Sequence, residues 1–266
     1  MPDPTSPMPS ALRARARNER LAGGTVPVLL VHPTWQDGDR VPLVLWMHGR
    51  TARKELDPGR YLRLMRAGFG VCAIDLPGHG DRFDPIEHTA ERTLDLILQM
   101  VDEIDAVLAG ALALGVFDER RLGIGGMSAG GMATMVRLCR PHPFACASVE
   151  GATGAWHHQL GRPMFEGRAE GEVEARDPIR NLHAWREIPF QAIHTRKDEW
   201  VAYEGQVQFM GALRARYRDP SIVEMVTFEA TGAPFEHAGF GRFAAEAKNA
   251  QLDFFERRLG AGTVTS

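Results

Sequence analysis

A serine stands between two glycines in Gly126-Met127-Ser128-Ala129-Gly130. The apolar run Leu122–Met127 reads as a strand, and Ala129 to Arg140 reads as a helix that stops before Pro141. A serine in such a sharp strand-to-helix turn is thrust clear of the backbone, and the residues two positions away must lack bulk for strand and helix to close up. Gly126 and Gly130 meet that demand, so Ser128 is the candidate nucleophile for acyl transfer. A glycine-rich turn without chemistry is the plainer alternative.

A hydroxyl attacks a carbonyl only when a base removes its proton, and a carboxylate must hold that base in the right tautomer. With this elbow the chain order is serine, acid, histidine. Of ten histidines, His237 alone lies beyond the last workable acid position, in the loop Ala233 to Gly239. The loop after the apolar run Phe190–His194 supplies Asp198 as the acid, with Glu199 as runner-up. Both carboxylates could instead be solvated loop charges paired with Arg196 and Lys197.

The tetrahedral intermediate of acyl transfer needs backbone N–H donors aimed at its oxyanion. Ala129, just after the nucleophile, is one source. The loop His48-Gly49-Arg50-Thr51 is the other, with the Arg50 N–H preferred and Thr51 next. The Arg50 side chain is expected in solvent, with contact to an anionic substrate group as the alternative. Met127, Trp156 and Trp200 could wall an acyl or alcohol group, and His79 could reach the site from its glycine loop; a core or turn position is the plainer reading of each.

The elements that must position these groups follow from the apolar pattern. Runs at Val26–Val31, Val41–Met47, Phe69–Ile74, Leu122–Met127, Cys146–Val149, Phe190–His194 and Val223–Phe228 read as strands. Helical patterns lie between most of them. Asp57-Pro58 opens one that ends at Gly68, Thr93 to Leu114 forms a long amphipathic one, and a last helix closes the chain before Gly260. Such alternation predicts an α/β fold with a mostly parallel central sheet and helices on both faces. Residues 152–189 break the alternation and read as a small insertion, or lid, that covers part of a site. One domain is expected over 21–260, between a flexible N-terminal tail over 1–20 and a flexible C-terminal tail over 261–266.

Composition excludes several classes. The 266 residues are 44% hydrophobic and 24% charged, which is ordinary for a globular chain, and a formal charge of -3 leaves no electrostatic footprint for nucleic acid or an anionic membrane. Cys72, Cys139 and Cys146 have no paired spacing and read as buried, reduced thiols. No apolar run of about 18 residues occurs, and the N-terminus lacks an apolar signal core, so a cytoplasmic protein is expected. His157 and His158 are adjacent, so their side chains should diverge, and no metal site is expected. Gly123-Ile124-Gly125-Gly126 lies too late in the chain for a dinucleotide fingerprint. The expected partner is a small-molecule ester, with no cofactor, no nucleic acid and no membrane, in a monomer or homodimer.

Taken together, His48-Gly49, Asp75-Leu76-Pro77-Gly78-His79-Gly80, the elbow and the ordered Asp198 and His237 resemble the α/β-hydrolase superfamily over about residues 26–259. The run Asp118 to Gly131 is similar to the branch holding dienelactone hydrolases and prolyl-oligopeptidase catalytic domains, and Pro77 to Phe83 resembles small bacterial carboxylesterases. The resemblance implies acyl transfer to water through a serine ester, without metal or organic cofactor. In this family the acid loop often reads His-Gly-x-x-Asp, and Thr195 stands here in place of the glycine. Dienelactone hydrolases use a cysteine nucleophile where this chain has Ser128, and 266 residues leave no room for the propeller of prolyl oligopeptidases. The expectation is a carboxylesterase; a serine peptidase, thioesterase or lactonase, or a non-catalytic binding protein on the same fold, are the alternatives.

Overall fold

In the computed structural model, residues 8–36, 38 and 40–260 are described. Eight strands form one sheet: β1 (Ala16–Leu21), β2 (Val26–Val31), β3 (Val41–Met47), β4 (Gly70–Ile74), β5 (Phe117–Met127), β6 (Cys146–Glu150), β7 (Phe190–Thr195) and β8 (Val223–Phe228). Their order is β1-β2-β4-β3-β5-β6-β7-β8. The pairs from β4 through β8 are parallel, while β2 runs antiparallel to both β1 and β4. Neighbours in space that are not neighbours in sequence require helical crossovers, and those crossovers cover both faces.

Among the described residues seven α-helices supply that cover: α1 (Ser10–Arg13), α2 (Pro58–Arg66), α3 (Thr93–Leu112), α4 (Ala129–Leu138), α5 (Glu170–Glu174), α6 (Tyr203–Arg216) and α7 (Ala244–Leu259). Because side chains alternate along a strand, β3 sends Leu43, Leu45 and Met47 to one face and Val44 and Trp46 to the other. The first face packs on α3, α4 and α6 through residues such as Ile97, Met132 and Phe209. The second packs on α1, α2 and α7 through Leu12, Tyr61 and Phe255. A sheet buried on both sides explains why β2, β3 and β4 are buried at every position and read as continuous apolar runs.

The helix boundaries predicted at Asp57-Pro58 and Gly260 carry the expected caps. Asp57 accepts the Arg60 N–H ahead of Pro58 in α2, and Gly260 ends α7 at φ +73°. The N-terminal tail is corrected: Ser10–Arg13 is helical and Ala16–Leu21 is an edge strand. Its sequence, ARNERL, is polar because the strand interior is exposed; the pairing to β2 and a buried Leu12 hold it, with Arg17 stacked 3.9 Å over Trp35. The predicted C-terminal tail lies outside the described residues. β5 also begins five residues before the apolar run, because its first half, Phe117 to Arg121, is largely polar and only partly buried. Residues 152–189 form short helical turns and α5 between β6 and β7. No helix among the described residues is long and apolar enough to cross a membrane.

Candidate active site

Ser128 caps α4 at φ 51° and ψ −116°, a left-handed backbone that a non-glycine residue holds only when its surroundings force it. The cause is close packing of strand ends. A Cβ on Gly126 would lie 2.5 Å from the Gly130 carbonyl carbon, and one on Gly130 would lie 2.4 Å from the Met47 carbonyl oxygen. The Ser128 N–H donates to the Glu150 carbonyl at 2.8 Å, which ties the turn to the end of β6.

Three loops at the carboxyl ends of β5, β7 and β8 bring Ser128, Asp198 and His237 together. Ser128 Oγ lies 2.9 Å from His237 Nε2. His237 Nδ1 faces both Asp198 oxygens, at 2.9 Å and 2.8 Å. Since a carboxylate only accepts, Nδ1–H is the donor, and Nε2 is left to accept the Ser128 hydroxyl proton. Burial alone would raise the Asp198 carboxyl, but hydrogen bonds from His194 and His237 outweigh it and hold the group well below the usual carboxylate range. Asp198 also accepts the backbone N–H groups of Trp200 at 2.9 Å and Val201 at 2.8 Å. Thr195 fits without the glycine's freedom, because it is the last residue of β7, paired with Phe228.

The expected oxyanion donors, Ala129 and Arg50, lie on neighbouring stretches of backbone beside Ser128. Gly49 lies against the nucleophile, since a Cβ there would stand 3.3 Å from Ser128 Cβ. Ala129, first in α4, precedes the first bond of the helix, Met132 N to Ser128 O, so its N–H has no intrahelical partner. On the facing loop, His48 Nδ1 donates to the Gly49 carbonyl at 2.7 Å, and the Thr51 N–H donates to His79 Nε2 at 3.1 Å. The runner-up donor Thr51 is therefore occupied, and the loop is gripped on both sides of Arg50. The Arg50 side chain is not solvated as expected: it is half-buried, donates to the His88 carbonyl at 3.0 Å, and burial pulls its guanidinium below its ordinary value against the pull of Glu91.

Two expected lining residues are corrected. His79 is 0% exposed, and its Nδ1 donates to the Pro77 carbonyl at 2.7 Å, so both ring nitrogens are spent on the backbone. Burial, joined by the nearby His48, His88 and Arg50, pushes it down to about 4 and keeps it neutral. Trp156 is also 0% exposed and packs with Phe165 in the core on the α3 face. Met127 is partly buried beside the Gly49 backbone, and Trp200 is 45% exposed with its ring 4.9 Å from that of His237.

Three residues have supporting roles that the sequence reading did not assign. His194, buried four residues before Asp198, brings Nε2 within 3.1 Å of Asp198 Oδ2 and 3.1 Å of the Val201 carbonyl. Both are acceptors, so Nε2–H donates, and its Nδ1 has no partner among the described residues. The i, i+4 spacing was the available signal. Glu199, the runner-up acid, instead accepts the backbone N–H groups of Glu236 at 3.1 Å and His237 at 3.3 Å. Asp75 binds the Lys54 N–H at 2.8 Å, Lys54 Nζ at 3.0 Å and the Asp81 N–H at 3.0 Å. Burial would raise it, but the Lys54 ammonium and the hydrogen bonds from the Asp81 and Lys54 N–H groups hold it far below the usual carboxylate range, and it anchors the Leu76 to Gly80 turn that carries His79.

His157 and His158 do not diverge, because they lie in a tight 3₁₀ turn, and both Nε2 atoms meet Gln208 Oε1, at 2.9 Å and 2.7 Å. No group of three or more His, Cys, Asp or Glu side chains suited to a metal occurs among the described residues. A shallow cleft of about 480 Å³ beside His158, Tyr203 and Gln208 contains none of the three residues of the Ser128 site.

Residues 59–262, more than half of the chain, match the prolyl oligopeptidase family, and the chain belongs to that family of serine hydrolases. It is 24% identical over 251 residues to the esterase YjfP of Escherichia coli K12, covering 88% of this chain and 96% of that one. A second relative, the putative esterase YitV of Bacillus subtilis, is 31% identical over 100 residues, which are 37% of this chain and 39% of the relative. Among solved structures, TT1662 of Thermus thermophilus superposes with a TM-score of 0.71 at 22% identity, over 93% of this chain and 99% of that one. A puromycin-hydrolyzing peptidase of Mycobacterium tuberculosis gives a TM-score of 0.72 at 22% identity; it aligns with 92% of this chain, which spans only 40% of the peptidase. These superpositions establish the α/β-hydrolase fold.

Proposed function

We propose that this chain hydrolyses carboxylic esters through an acyl-enzyme, with Ser128 as nucleophile, His237 as base and then acid, and Asp198 as its ionised orienter. The observation that carries the reading is the continuous relay of hydrogen bonds from Ser128 Oγ through both nitrogens of His237 to Asp198. Ser128 Oγ attacks the ester carbonyl carbon as His237 Nε2 takes its proton. The oxyanion is held by the N–H groups of Ala129 and Arg50, each such donor being worth about 2.7 to 4 kcal/mol. His237 then protonates the departing alcohol oxygen, and water repeats the sequence to release the acid. Asp198 stabilises the imidazolium without taking its proton.

The near full-length match to a protein named an esterase supports ester over amide substrates. The test is hydrolysis of p-nitrophenyl esters of increasing acyl length by the wild type and by Ser128→Ala. Hydrolysis abolished in the variant is expected; equal rates in the two would overturn the reading, and cleavage of proline p-nitroanilides alone would assign a peptidase instead.

A further inference from the structure

The proton that His237 returns goes to the departing alcohol oxygen, so the leaving group must lie against the imidazole while the carbonyl oxygen points toward Ala129 and Arg50. What stands against the imidazole is Trp200, with ring centroids 4.9 Å apart at 45°. Phe235 follows, 5.4 Å from Trp200 at 33°. Trp200 and Phe235 are 45% and 49% exposed, although each is carried by a loop whose neighbouring triad side chain is buried. Trp200 lies two residues after Asp198, and Phe235 lies two before His237.

The backbone beneath these rings is fixed. Asp198 Oδ1 accepts the Trp200 N–H, and Glu199 joins the Trp200 loop to the backbone of Glu236 and His237. The 152–189 insertion reaches the same place. Arg162 donates to the Glu199 carbonyl, and the Gln159 amide, oriented to satisfy both of its ends, donates to the Trp200 carbonyl at 3.2 Å and accepts the Ala202 N–H at 2.8 Å. An open aromatic surface on a fixed backbone binds with a smaller ordering cost.

We propose that Trp200 and Phe235 form the leaving-group subsite, and that it takes an aromatic alcohol moiety, such as a benzyl group. The inference rests on the triad reading above. Rings placed against rings gain offset or edge contacts beyond the area they bury, which a saturated alcohol of equal size cannot match.

The experiment holds the acyl group constant and varies the alcohol: ethyl, cyclohexylmethyl and benzyl acetate, with kcat and KM measured separately. The benzyl ester is expected to exceed the ethyl ester in kcat/KM by about tenfold or more. That ratio should collapse in Trp200→Ala mainly through KM, and return in Trp200→Phe. An unchanged ratio in Trp200→Ala, or a cyclohexylmethyl ester turned over as well as the benzyl ester, overturns the proposal. A second arm does not need turnover: benzyl alcohol is titrated into the Ser128→Ala protein and the indole N–H signals of its five tryptophans are followed by NMR. A selective shift at Trp200 is expected, and none there overturns the subsite. Failure of the triad reading is seen separately, as ester hydrolysis that survives Ser128→Ala.

Discussion

The backbone N–H of Thr51 is given to Nε2 of His79 at 3.1 Å, so a buried neutral imidazole holds the loop that carries Arg50. The bond exists only while that nitrogen is unprotonated. His79 is pushed down from 6.5 to about 4, so between those values the unfolded chain binds the extra proton. Stability is therefore full above about pH 6.5 and is lost as pH falls toward 4, by up to about 3 kcal/mol. His142, also pushed down to about 4 by burial, adds to the loss in the same window. Thermal unfolding of the wild type and His79→Gln between pH 4 and 7 checks this: the variant should be less stable at pH 7 and show a flatter decline.

The Glu199 carboxylate works on the backbone of His237, not on its ring. Glu199→Ala should loosen the histidine loop and lower kcat by about tenfold, since small misplacements of a catalytic group are costly. Unfolding temperature should move little, because the carboxylate is exposed. Steady-state kinetics on p-nitrophenyl acetate checks it, and a loss as deep as that of His237→Ala would mean that Glu199 is the acid.

His194 acts as a positioning residue through the Asp198 carboxylate. In His194→Ala one of the donors that holds Asp198 down is gone, so its carboxyl rises and protonates at a higher pH. The acid limb of the kcat profile should shift upward, with kcat reduced by about tenfold to a hundredfold and KM little changed. A variant that loses stability but keeps the wild-type acid limb would reduce His194 to a packing residue.

Much of this was legible in the chain. Strands such as Val41–Met47 are buried on both faces, so apolar runs gave their positions, and Gly126 and Gly130 announced the close approach at Ser128. Ala16–Leu21 was illegible because an exposed edge strand is fixed by its ladder to β2, with little apolar pattern to show. At Glu199 and His79 the residue types were visible, but their partners lie in other loops or on backbone atoms that no spacing encodes, whereas the i, i+4 spacing of His194 and Asp198 was there to be read. Trp156 misled because an aromatic in an irregular segment looks the same whether it turns to a pocket or to the core.

Trp156 offers a direct contrast between those two roles. It is fully buried, and its indole Nε1 has no partner among the described residues. Trp156→Ala should destabilise the fold by about 3 to 5 kcal/mol through the cavity it leaves. Trp156→Phe should cost much less, since no hydrogen bond is lost. Denaturant unfolding measures both, and an unchanged acyl-length preference in Trp156→Phe would place the residue outside the substrate pocket.

The central claim is a covalent ester on Ser128. Rapid quenching of the protein with p-nitrophenyl acetate, followed by tryptic digestion and mass spectrometry, tests it most directly. One acetyl group per chain is predicted on the peptide Leu122–Arg137, at Ser128, formed as fast as the first p-nitrophenol is released. In Ser128→Ala the adduct should be absent and turnover lower by about four orders of magnitude or more. Turnover without that adduct, or an equal rate in the variant, would contradict the account.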